Sequence, residues 1–231
     1  MQSMIITYFG KQFFKIQQGE TVLSFNPVSK GSKTGINAHF GADVALVTTN
    51  HPDYNGVEQL SHGERTPFII NGPGDYEIKE IFIKGVLSET FISDHVRDEV
   101  DKKYINTIYV LSIDNINIVF LGALSNMEIS KEAHEAINSP DILFIPVGGL
   151  PTQAGKGPAK DGASLLDVKS AAKLASSFEP KMIIPMDYDE VSLKAFLKEM
   201  GEEKAEVMDK LTVKLKDLEG KEGEVVVLKS L

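Results

Sequence analysis

Short apolar runs separated by turn residues fill the first half of the chain and predict β-strands. The first two runs are split by Gly10-Lys11-Gln12, a spacing typical of a hairpin. A long stretch over 25–40, rich in Asn, Pro, Ser, Lys and Gly, predicts a loop. The predicted strands are Met4–Phe9, Phe13–Gln17, Thr21–Phe25, Val44–Thr48, Phe68–Ile70, Tyr76–Leu87, Thr107–Ile113 and Ile116–Leu121.

The period of the apolar positions changes after residue 130, where helices and strands begin to alternate. The helix patterns cover Lys131–Asn138, Ser164–Phe178 and Val191–Met200, and the strand patterns cover Asp141–Val147, Lys181–Pro185 and Glu224–Leu228. Ser164 is the expected N-cap of the second helix, and Gly201 is expected to end the third. Lys210–Lys216 fits a half-exposed strand or a helix end. No linker interrupts this order, so residues 1–231 are predicted to form one α/β domain.

Composition narrows the possible chemistry. The chain of 231 residues has 24 Lys and Arg, 33 Asp and Glu, no Cys and five His, with a net charge of −9. The absence of Cys excludes disulfides, thiolate metal sites and a cysteine nucleophile. The acidic balance argues against nucleic-acid and anionic-membrane partners. The longest apolar runs are about half of a membrane span, so a cytoplasmic protein is expected.

The most informative segment is VALVTTNHPDYNG, residues 44–56, where a buried strand runs into a loop that carries His51 and Asp53. Proteins of the α/β class place chemistry at the carboxyl ends of strands. Asp187 follows another buried strand, IIPM, at an equivalent place. Taken alone, such residues are more often a hydrogen-bonded loop histidine and a solvated acidic turn. A phosphate-binding loop is not indicated, because Ala163 replaces the required lysine in GPAKDGAS.

Seven motifs in a fixed order resemble the metallo-β-lactamase-fold family of metal-dependent hydrolases. They include MIITYFGKQFFKI, ADVALVTTNHPDYNGVE, INGPGDYEIKEIFIKG, NTIYVLSIDNINIVFLGAL, DILFIPVGG and LLDVKSAAKLASSFEPKMIIPMDY. The chain is most similar to the ascorbate-6-phosphate-lactonase-like branch. The resemblance implies a four-layer αββα sandwich, with the active cleft at one edge between the two sheets.

The family holds its metals with H-x-H-x-D-H after a strand, a third His, an Asp in a Gly-Asp pair and a final His. This chain departs from most of that set. By resemblance, His51 and Asp53 match the second His and the Asp of the motif, and His95 is the nearest match to the third His. The substituted positions are Thr49 for the first His, Tyr54 for the last His of the motif, Ala123 for the bridging Asp and Asp187 for the final His.

These substitutions support a protein of this fold that is catalytically inactive, has no resident cofactor, and acts by binding a protein partner or a small ligand in the cleft. An alternative is a hydrolase of a small anionic ester or lactone, with one zinc or manganese ion held by His51, Asp53, His95 and Asp187. A third hypothesis is metal-free acid–base chemistry by Asp53, Tyr54 and Asp187. Lys11 is expected to pair with Asp53 or Asp187 in place of a metal charge. Homo-oligomerisation stays open.

Overall fold

A computed structural model describes residues 2–93, 102–148, 162–163 and 165–231, and these build two mixed β-sheets that pack face to face. The strands of the first sheet are β1 Met4–Gly10, β2 Phe13–Gln18, β3 Thr21–Phe25, β4 Val44–Leu46, β5 Phe68–Ile70 and β14 Lys210–Val213. The strands of the second are β6 Gly74–Ile78, β7 Ile81–Ser93, β8 Lys102–Ile113, β9 Ile116–Phe120, β10 Ile142–Pro146, β11 Gly162–Ala163, β12 Met182–Met186, β13 Glu206–Met208 and β15 Glu224–Leu228.

The first sheet has the order β14-β1-β2-β3-β4-β5. Strands β1, β2 and β3 form the predicted antiparallel meander, while β3, β4 and β5 run parallel. The parallel pairing brings the carboxyl ends of β3 and β4 to one edge, with Phe25 opposite Leu46. The loops that leave these two strands therefore start side by side.

The second sheet has the order β11-β7-β8-β9-β10-β12-β15-β13, and β6 pairs with β7. Strands β9, β10 and β12 are parallel, so the residues after Phe120, Pro146 and Met186 emerge at the same edge. Strands β7 and β8 form a long antiparallel ribbon that pairs from Phe82 to Ile92. Strand β9 pairs with β8 only from Tyr109 to Ile113, so the ribbon extends beyond β9.

Aromatic rings from both sheets interlock in the core between them. Phe25 of the first sheet stacks on Phe120 of the second with ring centroids 4.7 Å apart, and Phe14 meets Phe144 edge to face at 4.9 Å. Such pairs stabilise beyond their buried area by roughly 1 kcal/mol each. The two sheets are thus held at a fixed spacing next to the edge where the loops meet.

Three α-helices lie on the outer side of the second sheet, namely α1 Lys131–Ala136, α2 Val168–Ser177 and α3 Glu190–Met200. Helix α2 begins later than predicted. Its N-cap is Asp167, whose carboxylate accepts hydrogen bonds from the backbone of Lys169 and Ser170. The prediction of Ser164 as the cap was wrong, because the helix begins only at Val168; Ser164 itself lies outside the described residues. Gly201 ends α3 with φ of 73°, as predicted.

The outer side of the first sheet is covered by the loop between β3 and β4 and by a short 3-10 helix, Val57–Gln59, rather than by an α-helix. Among the described residues, none of the helices has the length and apolar character that a bilayer crossing requires. Together with the sheets and α1–α3 this arrangement is the expected metallo-β-lactamase fold in a single domain.

One strand prediction needs correction. Tyr76–Leu87 is not one strand, because Lys79 and Glu80 adopt left-handed φ values of 52° and 64° and turn the chain between β6 and β7. Neither residue is a common turn former, so sequence offered no signal there. In the Lys210–Lys216 segment, predicted as a half-exposed strand or a helix end, the first four residues form β14. This strand alternates between exposed and buried positions and pairs with β1 at the edge of the first sheet.

Candidate functional site

The loops that follow β3, β4, β9 and β12 converge at one edge of the two sheets, beside the turn between β1 and β2. Asp187 comes directly after β12 and is only 6% exposed. Its Oδ2 accepts a hydrogen bond of 2.8 Å from the Oη of Tyr54, which follows β4. Two of the predicted site residues are therefore in contact, although they belong to different sheets.

Lys11 supplies the positive charge at this site. Its Nζ lies 3.3 Å from Asp187 Oδ1, and its backbone oxygen accepts a 2.7 Å hydrogen bond from the Asp187 amide. The negative charge of Asp187 raises the pKa of Lys11 above its usual value, burial opposes that shift, and Asp53 adds to it. Lys11 is thus a protonated partner of Asp187, and the predicted pairing of Lys11 with one of the two acids is confirmed for Asp187.

A buried chain of side-chain hydrogen bonds completes the surroundings of Asp187. Gln12 Nε2 donates to Asp187 Oδ2 at 3.1 Å, and Gln12 Oε1 accepts from Asn26 Nδ2 at 2.9 Å. Asn26 Nδ2 also donates to Thr48 Oγ1 at 2.9 Å, and Asn26 Oδ1 accepts from the Thr48 amide at 2.8 Å. We call Lys11, Gln12, Asn26, Thr48, Tyr54 and Asp187 the polar network. Its members tie the ends of β3, β4 and β12 to the β1–β2 turn.

Three members of the polar network hold left-handed backbone conformations. The φ angles are 54° at Lys11, 42° at Asn26 and 51° at Asp187. A left-handed conformation costs a residue with a Cβ about 1–2 kcal/mol. Such strain persists only where the surrounding contacts impose it, and it concentrates at functional sites.

The tyrosines at the site stay protonated. Burial, followed by the negative charge of Asp187, raises the pKa of Tyr54 well above its ordinary value. Burial also raises the pKa of Tyr8, whose Oη donates to the backbone oxygen of Lys11 at 2.8 Å. A phenol with such a pKa serves as a hydrogen-bond donor rather than as a base. For Tyr54 this arrangement speaks against a role in the acid–base hypothesis.

Asp53 and His51 lie in the loop that follows β4, and the negative charge of Asp53 acts on Lys11 and Tyr54 of the polar network. Asp53 Oδ1 accepts a 2.6 Å hydrogen bond from Ser32 Oγ, and the Asp53 amide points at His51 Nδ1 at 3.2 Å. The His51 ring lies 5.9 Å from that of Tyr104, centroid to centroid. His95 lies outside the described residues. Over the ranges that the structure describes, no three His, Asp or Glu side chains are grouped so that they could share one metal ion.

Asn106 connects the segments that follow β4 and β9. Its Oδ1 accepts hydrogen bonds from Thr49 Oγ1 at 3.3 Å and from the Ala123 amide at 2.9 Å. Gly122 has φ of 66°, and a Cβ there would collide with Asn106 and Thr48. Close packing thus requires glycine at position 122.

Sequence reasoning missed Gln12, Asn26 and Asn106 as site residues. Each is fully buried and makes side-chain hydrogen bonds to chain segments that are remote in sequence. The available signal was positional, since Gln12 and Asn26 fall directly at strand ends of the predicted meander. An amide at a strand end is a common turn residue, and its distant partner was not visible from sequence.

Several solved structures share this fold. A protein from Thermotoga maritima, provisionally named a Zn-dependent hydrolase of the metallo-β-lactamase superfamily, is 23% identical, with a TM-score of 0.68 over 97% of this chain and 98% of that one. A metallo hydrolase from Ignicoccus hospitalis is 15% identical, with a TM-score of 0.55 over 92% and 99%. The diiron β-hydroxylase CmlA from Streptomyces venezuelae is 12% identical, with a TM-score of 0.58 over 93% of this chain and 55% of that one. These likenesses concern the fold alone, and the neighbours carry different chemistries.

Among functionally curated proteins, none matches this chain. The sequence profile of the beta-lactamase superfamily domain matches residues 5–187, which is most of the chain. The match ends at Asp187, so it includes every member of the polar network. The chain belongs to the metallo-β-lactamase superfamily.

Proposed function

We propose that this chain is a metal-free member of the superfamily that acts by binding rather than by hydrolysis. The observation that carries the proposal is the ion pair between Lys11 and Asp187, at the position where the resemblance places the final metal-binding histidine. An ammonium group and two neutral donors, from Gln12 and Tyr54, satisfy this carboxylate. The protein supplies from its own side chains the positive charge that a metal would bring.

A divalent ion that approached Asp187 would meet Lys11. Two unit charges 4 Å apart repel by about 4 kcal/mol at an effective dielectric constant of 20, and a divalent ion doubles that figure. The ion would also have to displace the Gln12 and Tyr54 donors from a carboxylate that is almost fully buried. The residues present therefore fit an internal salt bridge better than a metal centre.

The other substituted positions support the same proposal. Thr49 donates its hydroxyl to Asn106, and Ala123 has no side-chain donor atom at all. Burial raises the pKa of the Tyr54 phenol well above its ordinary value, and metal ligation would require the phenolate. A dinuclear hydrolytic site needs a bridging ligand between two ions about 3.5–4 Å apart, and nothing at Ala123 can supply one.

The proposed role is therefore recognition of a protein partner or a small ligand. The polar network holds the strand ends of this protein together without a metal ion. The alternative is hydrolysis of a small anionic ester or lactone by one metal ion bound through His51, Asp53, His95 and Asp187. That alternative, and membership of the ascorbate-6-phosphate-lactonase-like branch, stay predictions from the sequence.

Metal content tests the proposal. The protein is purified without a metal-affinity column, soaked with zinc or manganese, dialysed and examined by elemental mass spectrometry. We expect far less than one ion per chain under both conditions. The matched variants are His51→Ala and His134→Ala, the second of which removes an exposed histidine on α1. About one ion per chain that is lost in His51→Ala and kept in His134→Ala would overturn the proposal in favour of the mononuclear hydrolase.

A further inference from the structure

The outer edge of β7, on the side away from β8, is interrupted. Strand β6 pairs with this edge from Ile81 to Gly85, and β11 pairs with it at Ile92 and Ser93. Strand β8 occupies the opposite edge over the whole length between them. Residues 86–91 of β7 thus form a stretch between two flanking strands, which we call the edge gap.

The backbone groups that face the edge gap follow from the strand pattern. The amide of Phe91 donates to Ser125 Oγ at 3.1 Å, which places it on the outer edge. Outward and inward groups alternate along an antiparallel strand, so the N–H and C=O groups of Leu87 and Glu89 also point outward. Within the part of the chain that the structure describes, no backbone group pairs with them. With respect to the described residues, the edge gap therefore presents two residues whose outward donors and acceptors have no backbone partner.

A groove lies along this edge, with a volume of about 280 Å³. Leu87 and Phe91 contribute its apolar wall from β7, and Leu124 and Ile129 contribute the wall from the segment that follows β9. Leu87 is 51% exposed and Phe91 is 39% exposed, which is unusual for large apolar side chains on a strand. The groove thus offers apolar contacts next to open main-chain hydrogen-bonding groups.

The flanking strands determine what can enter. Strands β6 and β11 each extend about 4.8 Å beyond β7, which is one strand spacing. The edge gap is therefore recessed. If a second copy of the chain approached with its own edge gap, β6 and β11 of the two copies would collide before the gaps could pair. A single extended segment can enter, and the six residues of the gap correspond to about 17–20 Å of strand.

The charges that line the groove further limit which extended segment can bind there. Two acids, Glu89 and Glu128, line the groove, and no Lys or Arg is among its lining residues. Glu89 is already paired with Lys103, with 2.6 Å between Oε1 and Nζ. Glu128 forms no ion pair among the described residues. The groove therefore has a negative charge available to a basic side chain.

We propose that the edge gap binds an extended peptide of about five residues by strand addition to β7. The peptide pairs its backbone with Leu87 and Glu89, places apolar side chains against Leu87 and Phe91, and carries a Lys or Arg that faces Glu128. Strand addition draws affinity from main-chain hydrogen bonds and specificity from alternate side chains. This inference concerns a surface separate from the polar network and does not depend on whether a metal binds there.

Hydrogen exchange of the free protein gives the first test. The amides of Leu87 and Glu89 should exchange rapidly, whereas those of Ser88 and Thr90, which face β8, should be protected. Protection of the Leu87 and Glu89 amides in the free protein would mean that the chain itself fills the gap, and it would overturn the proposal.

Peptide binding gives the second test, with acetyl-Val-Thr-Lys-Thr-Val-amide as the probe, because an extended strand places its two valines and its lysine on one face. We expect saturable binding with a Kd below about 1 mM and slower exchange of the Leu87 and Glu89 amides. Replacing the probe's Lys by Glu, or N-methylating alternate backbone nitrogens, should weaken binding at least tenfold. Absence of binding by the Lys probe, or equal binding by all three, would refute the proposal.

Matched variants locate the site. Leu87→Pro removes an outward N–H, which an edge position tolerates, together with the leucine side chain, while Leu87→Ala removes the side chain and keeps the donor. Binding should fall at least tenfold in Leu87→Pro and less in Leu87→Ala. Glu128→Gln should lower affinity for the Lys probe about threefold and leave the Glu probe unaffected or improved. Exposed Glu203→Gln is the control, and unchanged binding by Leu87→Pro would place the peptide elsewhere and contradict the proposal.

Discussion

The ammonium of Lys11 lies 3.3 Å from the carboxylate of Asp187, and the backbone amide of Asp187 donates to the carbonyl of Lys11. The two residues are therefore joined both by side chains and by main chain. This double connection fastens the turn of the first hairpin to the end of a central strand of the other sheet. It places one positive and one negative charge side by side at the edge where the strand ends converge.

Removing the positive charge should destabilise the protein. Lys11→Met keeps the length of the side chain and leaves the Asp187 carboxylate buried without its counter-charge. Breaking such a pair costs about 3–5 kcal/mol when both groups are buried, and we expect about 2–3 kcal/mol because Lys11 retains some exposure. Urea denaturation measures the change in the free energy of unfolding.

Lys79→Met is the matched control for Lys11→Met, because Lys79 forms a surface ion pair of 2.6 Å with Asp43. Exposed pairs contribute up to about 1 kcal/mol. Equal losses in the two variants would show that the Lys11–Asp187 pair has no special stabilising role.

Asn26 should stabilise the protein mainly through the hydrogen bonds of its side-chain amide rather than through its backbone conformation. Asn26→Ala removes both donors and the acceptor from the buried network and leaves Cβ in a left-handed conformation, so a loss of about 3 kcal/mol is expected. Asn26→Gly removes the same hydrogen bonds but relieves the backbone, so it should be about 1 kcal/mol less harmful. Thermal or urea unfolding distinguishes the two, and a Gly variant as stable as the native protein would contradict the network's contribution.

Alkaline pH should reveal the buried tyrosines. Burial is the first cause of a raised pKa for Tyr8, Tyr54, Tyr109 and Tyr188, and it raises the pKa of Tyr188 to about 12. The unfolded chain releases these protons near pH 10, so the free energy of unfolding should fall as pH rises above about 10. Spectrophotometric titration should show that these four of the six tyrosines ionise only at higher pH or on unfolding. Ionisation of all six near pH 10 in the folded protein would contradict the buried network.

The cap of helix α3 predicts an effect at acidic pH. Hydrogen bonds from the backbone and side chain of Ser192 lower the pKa of Asp189. A lowered folded pKa means that the stabilisation is present above about pH 4 and is lost as pH falls through the folded value. Asp189→Ala should cost about 1 kcal/mol at pH 7 and less near pH 3. Denaturation at both pH values measures the difference, and a loss that is the same at both would exclude the charged cap as its cause.

Local patterns were sufficient for most of the strands and for the fold. The meander from Met4 to Phe25, the buried strand after Asp141 and the helix that Gly201 ends were all visible from apolar periodicity and turn residues. Errors arose where a local rule had no distinguishing residue. Lys79 and Glu80 adopt a turn that their residue types do not favour. Ser164 and Asp167 are both suitable N-cap residues, so a choice between them requires the first residue of the helix to be known.

The sequence by itself determined where most strands lie along the chain, the loops at the strand ends and the residue types at Thr49, Tyr54 and Ala123. These features depend on residue type and spacing, which are local properties of the chain. Only the tertiary structure decided how the remaining groups combine. Gln12 and Tyr54 meet Asp187 across 175 and 133 positions of the chain, and the pairing registers of both sheets set those distances. A hydrogen bond between side chains needs placement within a few tenths of an ångström, and only the packed sheets provide it.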